Sequence, residues 1–130
     1  LPSERYFVPG ALLTAAVDNA HPLAYGMPDK VDVFFNRSPV FKLQPDAPAK
    51  GVKVVAWYPT DKPVSSGWGW GQAYLKDGIA AAEVPMGKGK LLLFCPEVTF
   101  RATSHATFPF FFNAIYYSLA QPVSLGKAAN

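Results

Sequence analysis

Apolar and polar positions alternate over short stretches that end in glycine or proline, the pattern of half-buried strands. Residues 11–17 alternate in this way and stop at Asp18-Asn19. Residues 31–35 predict a second strand, and Asn36-Arg37-Ser38-Pro39 makes a tight connection to 40–43, so these two short strands are expected side by side. The stretch 52–58, Val-Lys-Val-Val-Ala-Trp-Tyr, has the β-branched and aromatic content of a buried strand. Gly67, Gly69 and Gly71 make 65–71 too glycine-rich to start an element, and 72–76 predicts one helical turn. Residues 79–84 and 90–95 flank Gly87-Lys88-Gly89 and read as a β-hairpin.

From Thr107 the period changes. Phe108, Phe111, Phe112, Ile115, Tyr116 and Leu119 follow helical spacing, and Pro109 suits an early turn position. The pattern predicts one C-terminal amphipathic helix with Phe108, Phe111, Phe112, Ile115 and Leu119 in the core. Phe110, Tyr116 and Tyr117 widen the apolar stripe beyond one face, which predicts a second contact surface, for either the missing part of the domain or a protein partner. The fold class expected is α/β or β-rich α+β, with a short mixed sheet of about five to seven strands, a β-hairpin and that helix.

Composition narrows the function. The chain has 130 residues, half of them hydrophobic and 16% charged, which predicts one globular domain with a sizeable core. Thirteen prolines and ten glycines favour short elements over long helices. The net charge of +3 is scattered, without the basic stripe that nucleic acid requires, and no apolar run reaches the length of a bilayer span. One cysteine excludes an internal disulfide. A first residue of Leu1 rather than Met is read as processing or excision from a longer chain.

Two groups of residues carry candidate chemistry. Cys95, Glu97 and His105 are the types that make a nucleophile, an orienting carboxylate and a base, although spacing alone does not bring them together. The commoner role of a lone cysteine ending an apolar strand is that of a small buried hydrophobe. Trp68, Trp70 and Tyr74 have the composition of an aromatic platform for a glycan or peptide, against the commoner reading that the indoles plug a sheet edge. Arg101 can hold an anion or pair with Glu97 to fix the loop before the helix. Trp68, Trp70, Tyr74, Arg101, Phe110 and Tyr117 are therefore the candidate ligand or partner residues.

The chain also carries a succession of phrases: Val8-Pro9-Gly10-Ala11-Leu12-Leu13, His21-Pro22-Leu23-Ala24-Tyr25-Gly26-Met27-Pro28, Asp32-Val33-Phe34-Phe35, Ser66-Gly67-Trp68, Gly87-Lys88-Gly89, Phe100-Arg101 and Phe112-Asn113-Ala114. In that order it resembles the C-terminal accessory domain of secreted bacterial zinc carboxypeptidase family proteins, a class I glutamine amidotransferase-like domain. Phe94-Cys95-Pro96-Glu97 is similar to the place where such domains close a strand on Phe-His-Pro-Glu, with Cys95 where the catalytic histidine belongs. A thiol is a poor substitute for an imidazole base near neutral pH, so the resemblance implies a degenerate, non-catalytic domain. Neither His21 nor His105 fits the family's His-x-x-Glu zinc motif, so no metal or other cofactor is expected in this chain.

The resemblance further implies an extracytoplasmic location and, as partner, the remainder of a parent zinc metallocarboxypeptidase or a larger assembly. Residues 1–122 would form a single accessory domain, the later part of a longer chain, with 123–130 as a tail. A glycan- or peptide-binding module at Trp68 and Trp70 and a residual Cys-His hydrolase are the alternatives.

Overall fold

Six strands and one α-helix make up the regular structure of the computed structural model, which describes residues 2–121 and 123. They are β1 (Ala11–Val17), β2 (Lys30–Phe35), β3 (Lys53–Trp57), β4 (Val64–Gly67), β5 (Ile79–Met86), β6 (Gly89–Phe94) and α1 (Phe108–Ser118). Single 3-10 turns at Pro22–Ala24, Pro48–Lys50, Gln72–Leu75, Phe100–Ala102 and His105–Thr107 fill the connections. The strands lie in the order β2-β1-β3-β5-β6, with β4 on β1, and each of these pairings is antiparallel. Of the two classes left open by the sequence, the β-rich α+β one is found. From 124 onward, the expected tail lies outside the described residues.

β1 is the organising strand because its alternation is complete. Ala11, Leu13, Ala15 and Val17 point inward, and Val31, Val33 and Phe35 of β2 join them on the same face in a register running from Ala11 opposite Phe35 to Ala16 opposite Lys30. The other edge of β1 is shared. β3 takes Ala16 and Val17, and β4 takes Ala11 to Leu13 across an irregularity between Leu12 and Leu13.

The strand expected at 40–43 does not form beside 31–35. β2 pairs with β1 instead, and Phe41 makes only a single bridge to Ile79. A long alternating partner outcompetes a four-residue stretch that contains Lys42 and leaves Phe41 47% exposed. Residues 65–71, too glycine-rich to predict an element, do contribute β4.

The hairpin forms as predicted. Met86 pairs with Gly89 across a two-residue loop, and Gly87 takes the positive φ of +58° that this turn demands. Gly71 is needed for another reason: its φ is +68°, and a Cβ there would sit 2.0 Å from the Arg5 carbonyl oxygen. That close approach lets residues 4–7 lie against the Trp68–Trp70 loop, where Phe7 and Trp70 form a bridge.

Tyr58, Phe35, Phe110, Leu13, Leu23 and Leu75 are the largest fully buried side chains of the core. Phe35 meets Tyr58 edge-on with ring centroids 6.2 Å apart, and Phe94 of β6 packs on Phe110 of α1 at 5.7 Å.

Here the sequence pattern misassigned the helix. Phe110, expected as a partner-binding residue, is buried to 1% exposure, whereas Phe111, Phe112, Ile115 and Leu119, expected in the core, are 45%, 55%, 53% and 85% exposed. Asn113 explains the rotation. Its amide donates to the carbonyls of Leu23 and Tyr25, at 3.1 and 2.9 Å, so the one polar residue within the apolar run faces inward and turns its neighbours out. Tyr117 and Ala114 pack against the core beside Phe110.

Candidate functional site

α1 joins a buried polar junction on one side to an uncovered apolar face on the other. Pro109 occupies the first turn, where its missing N–H costs nothing. Just before the helix, the buried Thr107 hydroxyl lies 2.6 Å from the Val98 carbonyl and 2.7 Å from that of Ser104, donating to one at a time. The Ser104 hydroxyl donates to the Asp32 carbonyl on β2. These bonds tie the helix entrance to the sheet.

Beneath the C-terminal half of α1, His21 and Glu83 are 7% and 6% exposed. His21 Nδ1 accepts the Leu23 N–H at 3.2 Å, so the neutral imidazole carries its proton on Nε2. Nε2 lies 3.1 Å from Glu83 Oε2, an ion-pair distance at which the two are not aligned as a hydrogen bond. Lys53 donates to the other carboxylate oxygen at 3.3 Å. Tyr117 stands edge-on to His21, with ring centroids 5.6 Å apart.

Burial is the largest influence on both titrating groups. It lowers the His21 pKa, a shift that the Glu83 charge only partly offsets. Burial alone would raise Glu83, but Tyr117, Lys53 and His21 together hold its pKa below the ordinary carboxylate range. At neutral pH the junction is an ionised glutamate beside a neutral histidine. Burial and the neighbouring glutamate push the Tyr117 phenol up to about 12.

Lys90 completes this side. Its ammonium donates to the Tyr117 carbonyl at 3.3 Å and lies 3.7 Å from the Tyr117 ring centroid, a cation at the carbonyl end of the helix. Lys53, Glu83, Lys88, Lys90, Tyr117 and Pro22 border an open cleft of about 620 Å³. A second cleft, of about 500 Å³, lies between Pro22, Tyr25, Asn113 and Tyr116.

The uncovered face of α1 carries Phe111, Phe112, Ile115, Tyr116 and Leu119, and Tyr116 shares the second cleft with Tyr25. No Asp, Glu, Lys or Arg occurs in the helix.

The sequence candidates fall elsewhere. Cys95 is buried at the end of β6, its N–H donates to the Ala80 carbonyl, and burial pushes its thiol up to about 11. Such a thiol stays protonated at neutral pH. Glu97 donates its backbone N–H to the Phe34 carbonyl, and exposed His105 stacks on Phe108. Among the described residues no hydrogen bond or ion pair joins Cys95, Glu97 and His105, nor Arg101 with Glu97. Arg101 is exposed, has a left-handed φ of 43°, and places its guanidinium 5.3 Å from the Phe100 ring.

Trp68, Trp70 and Tyr74 are 59%, 57% and 51% exposed rather than plugged into the sheet. Trp68 meets Phe7 edge-on, and the Trp70 indole N–H donates to the Glu4 carbonyl at 3.0 Å. Among the described residues no group of three or more His, Cys, Asp or Glu side chains is placed to hold a metal ion, and no helix is long and apolar enough to cross a membrane.

The sequence reading missed the His21–Glu83–Lys53–Tyr117 junction. One signal was present: Glu83 is the only charged residue in 79–86, a stretch otherwise apolar enough to be fully buried. No protein-family model, curated protein or solved structure matches the chain.

Proposed function

We propose that this chain is a non-catalytic accessory or protein-interaction domain of a secreted zinc carboxypeptidase-like protein, acting outside the cytoplasm without a cofactor of its own. The observation that carries the reading is the charge-free outer face of α1, with Phe111, Phe112, Ile115, Tyr116 and Leu119 uncovered beside Tyr25. Its partner is the remainder of the parent protein or a larger assembly. The family resemblance of the phrases along the chain supports the same reading. The protonated, buried Cys95 gives the alternative of a residual hydrolase no geometric support.

The experiment is sedimentation with hydrophobic-dye fluorescence on the isolated chain and on the Ile115→Ser/Leu119→Ser variant. The docking role predicts a chain that self-associates and binds dye, and a variant that is monomeric and several-fold dimmer. A wild-type chain that is monodisperse and dark to the dye refutes it.

The exposure of Trp68 and Trp70 favours a second reading, a glycan- or peptide-binding module. It ranks lower because the Trp70 N–H is already spent on Glu4 and Trp68 stands edge-on to Phe7, so no flat pair of ring faces is presented. Saturable changes in tryptophan fluorescence on titrating oligosaccharides would reverse that ranking.

A further inference from the structure

The apolar face of α1 does not end at bare solvent on every side. At the C-terminal end of the helix, Tyr117, Ala120 and Gln121 form one wall of the lysine-bordered cleft, while their neighbours Tyr116 and Leu119 belong to the outer face. Pro22 borders both clefts, so the basic cleft and the Tyr25–Tyr116 cleft adjoin. The apolar face and the basic cleft are therefore one continuous surface.

The basic cleft is strongly biased in sign. Among the described residues, three ammonium groups, Lys53, Lys88 and Lys90, border it against one carboxylate, Glu83. That carboxylate is buried and already engaged by Lys53 and by the close approach of His21. Two of the lysines are pre-positioned: Lys53 is anchored on Glu83, and Lys90 on the carbonyl and ring of Tyr117. An ammonium has three donors, and each anchor uses one toward the protein's own oxygens. The remaining donors, with Lys88 on the exposed hairpin turn, ask for external acceptors.

We infer that the segment docking on α1 is an acidic amphipathic one, whose apolar side chains cover Phe112, Ile115, Tyr116 and Leu119 and whose carboxylates enter the cleft of Lys53, Lys88 and Lys90. This rests on the docking role proposed above and adds the chemistry of the partner. A basic or neutral apolar segment would cover the same helix face and leave Lys88 and Lys90 without counter-charge.

The test is fluorescence anisotropy of the full chain with three labelled model peptides: a leucine–glutamate amphipathic helix, its leucine–lysine counterpart, and a serine–glutamate peptide of equal charge. The expected result is saturable binding of the leucine–glutamate peptide alone, weakened ~10-fold or more by Lys88→Glu/Lys90→Glu and by raising the salt from about 0.05 to 0.5 M. Lys88→Glu by itself, on the exposed turn, carries the same test where the double variant fails to fold. Equal binding of the leucine–glutamate and leucine–lysine peptides overturns the inference and leaves docking on α1 intact. Equal binding of the serine–glutamate peptide overturns it in favour of an anion site separate from the helix. Binding of none of the three overturns the inference together with the docking role beneath it.

Discussion

The two sides of α1 have nearly the same composition and opposite fates. The inner side holds Phe110 against Phe94, has Asn113 bonded to the loop beneath and sets Tyr117 edge-on to His21; the outer side holds Phe111, Phe112, Ile115, Tyr116 and Leu119 against nothing within the described chain. Apolar content therefore does not decide which side of this helix is buried. The decision falls to groups with directional needs, because a buried carbonyl left without a donor costs about 1–3 kcal/mol, and the Asn113 amide is the donor that the carbonyl of buried Leu23 finds.

The largest effect separating the two sides is expected from truncating an aromatic on each. Phe110→Ala should destabilise by about 3–5 kcal/mol, and Phe112→Ala should stay within about 0.5 kcal/mol of wild type. Urea unfolding followed by circular dichroism measures both. Similar losses for the two would mean that the helix is rotated from its described position.

Acid should sharpen the contrast, because it acts only on the inner side. The folded pKa of His21 lies below its ordinary 6.5. As the pH falls past that value the unfolded chain gains a proton that the folded histidine resists, and stability declines until the lower folded pKa is reached. Glu83 is also depressed, from an ordinary 4.5, so its contribution is present above that value and is lost as the pH falls through the folded pKa. Stability is expected to fall from about pH 6.5 downward, at no more than about 1.4 kcal/mol per pH unit for each proton. His21→Gln should remove the upper part of this decline and keep the part below pH 4.5. A variant with an unchanged upper limb would relieve His21 of the role.

The smallest effect is expected from Tyr116→Ser, which should leave the unfolding midpoint within experimental scatter, since Tyr116 is 80% exposed. A clear loss of stability would show that the outer side is packed.

Much of this architecture was legible in the sequence, where short-range periodicity and turn chemistry govern. The hairpin of β5 and β6 follows from two apolar stretches around Gly87 and Lys88, and the extent of α1 follows from Thr107, Pro109 and helical spacing. The orientation of α1 was not legible. Nearly every helical position is apolar, so helical spacing fits more than one face, and Asn113 reads as an interruption until its acceptors 88 and 90 residues away are known. Likewise, β2 preferred the distant β1 to the adjacent residues 40–43, a contest between pairings that local pattern does not score. Of the candidate chemistry, the sequence offered the exposed tryptophans and Tyr117, but the buried polar pair beneath Tyr117, His21 and Glu83, comes from the turn after β1 and from β5.

The forked edge of β1 has a consequence for synthesis. β1 leaves the ribosome before both of its partners on that side, and the edge it shares between β3 and β4 stays open until Gly67 has emerged, about 50 residues after Val17. At roughly 5–20 residues per second, the nascent chain carries an unfilled strand edge for several seconds, the interval in which a holding chaperone or a neighbouring nascent chain would compete for it.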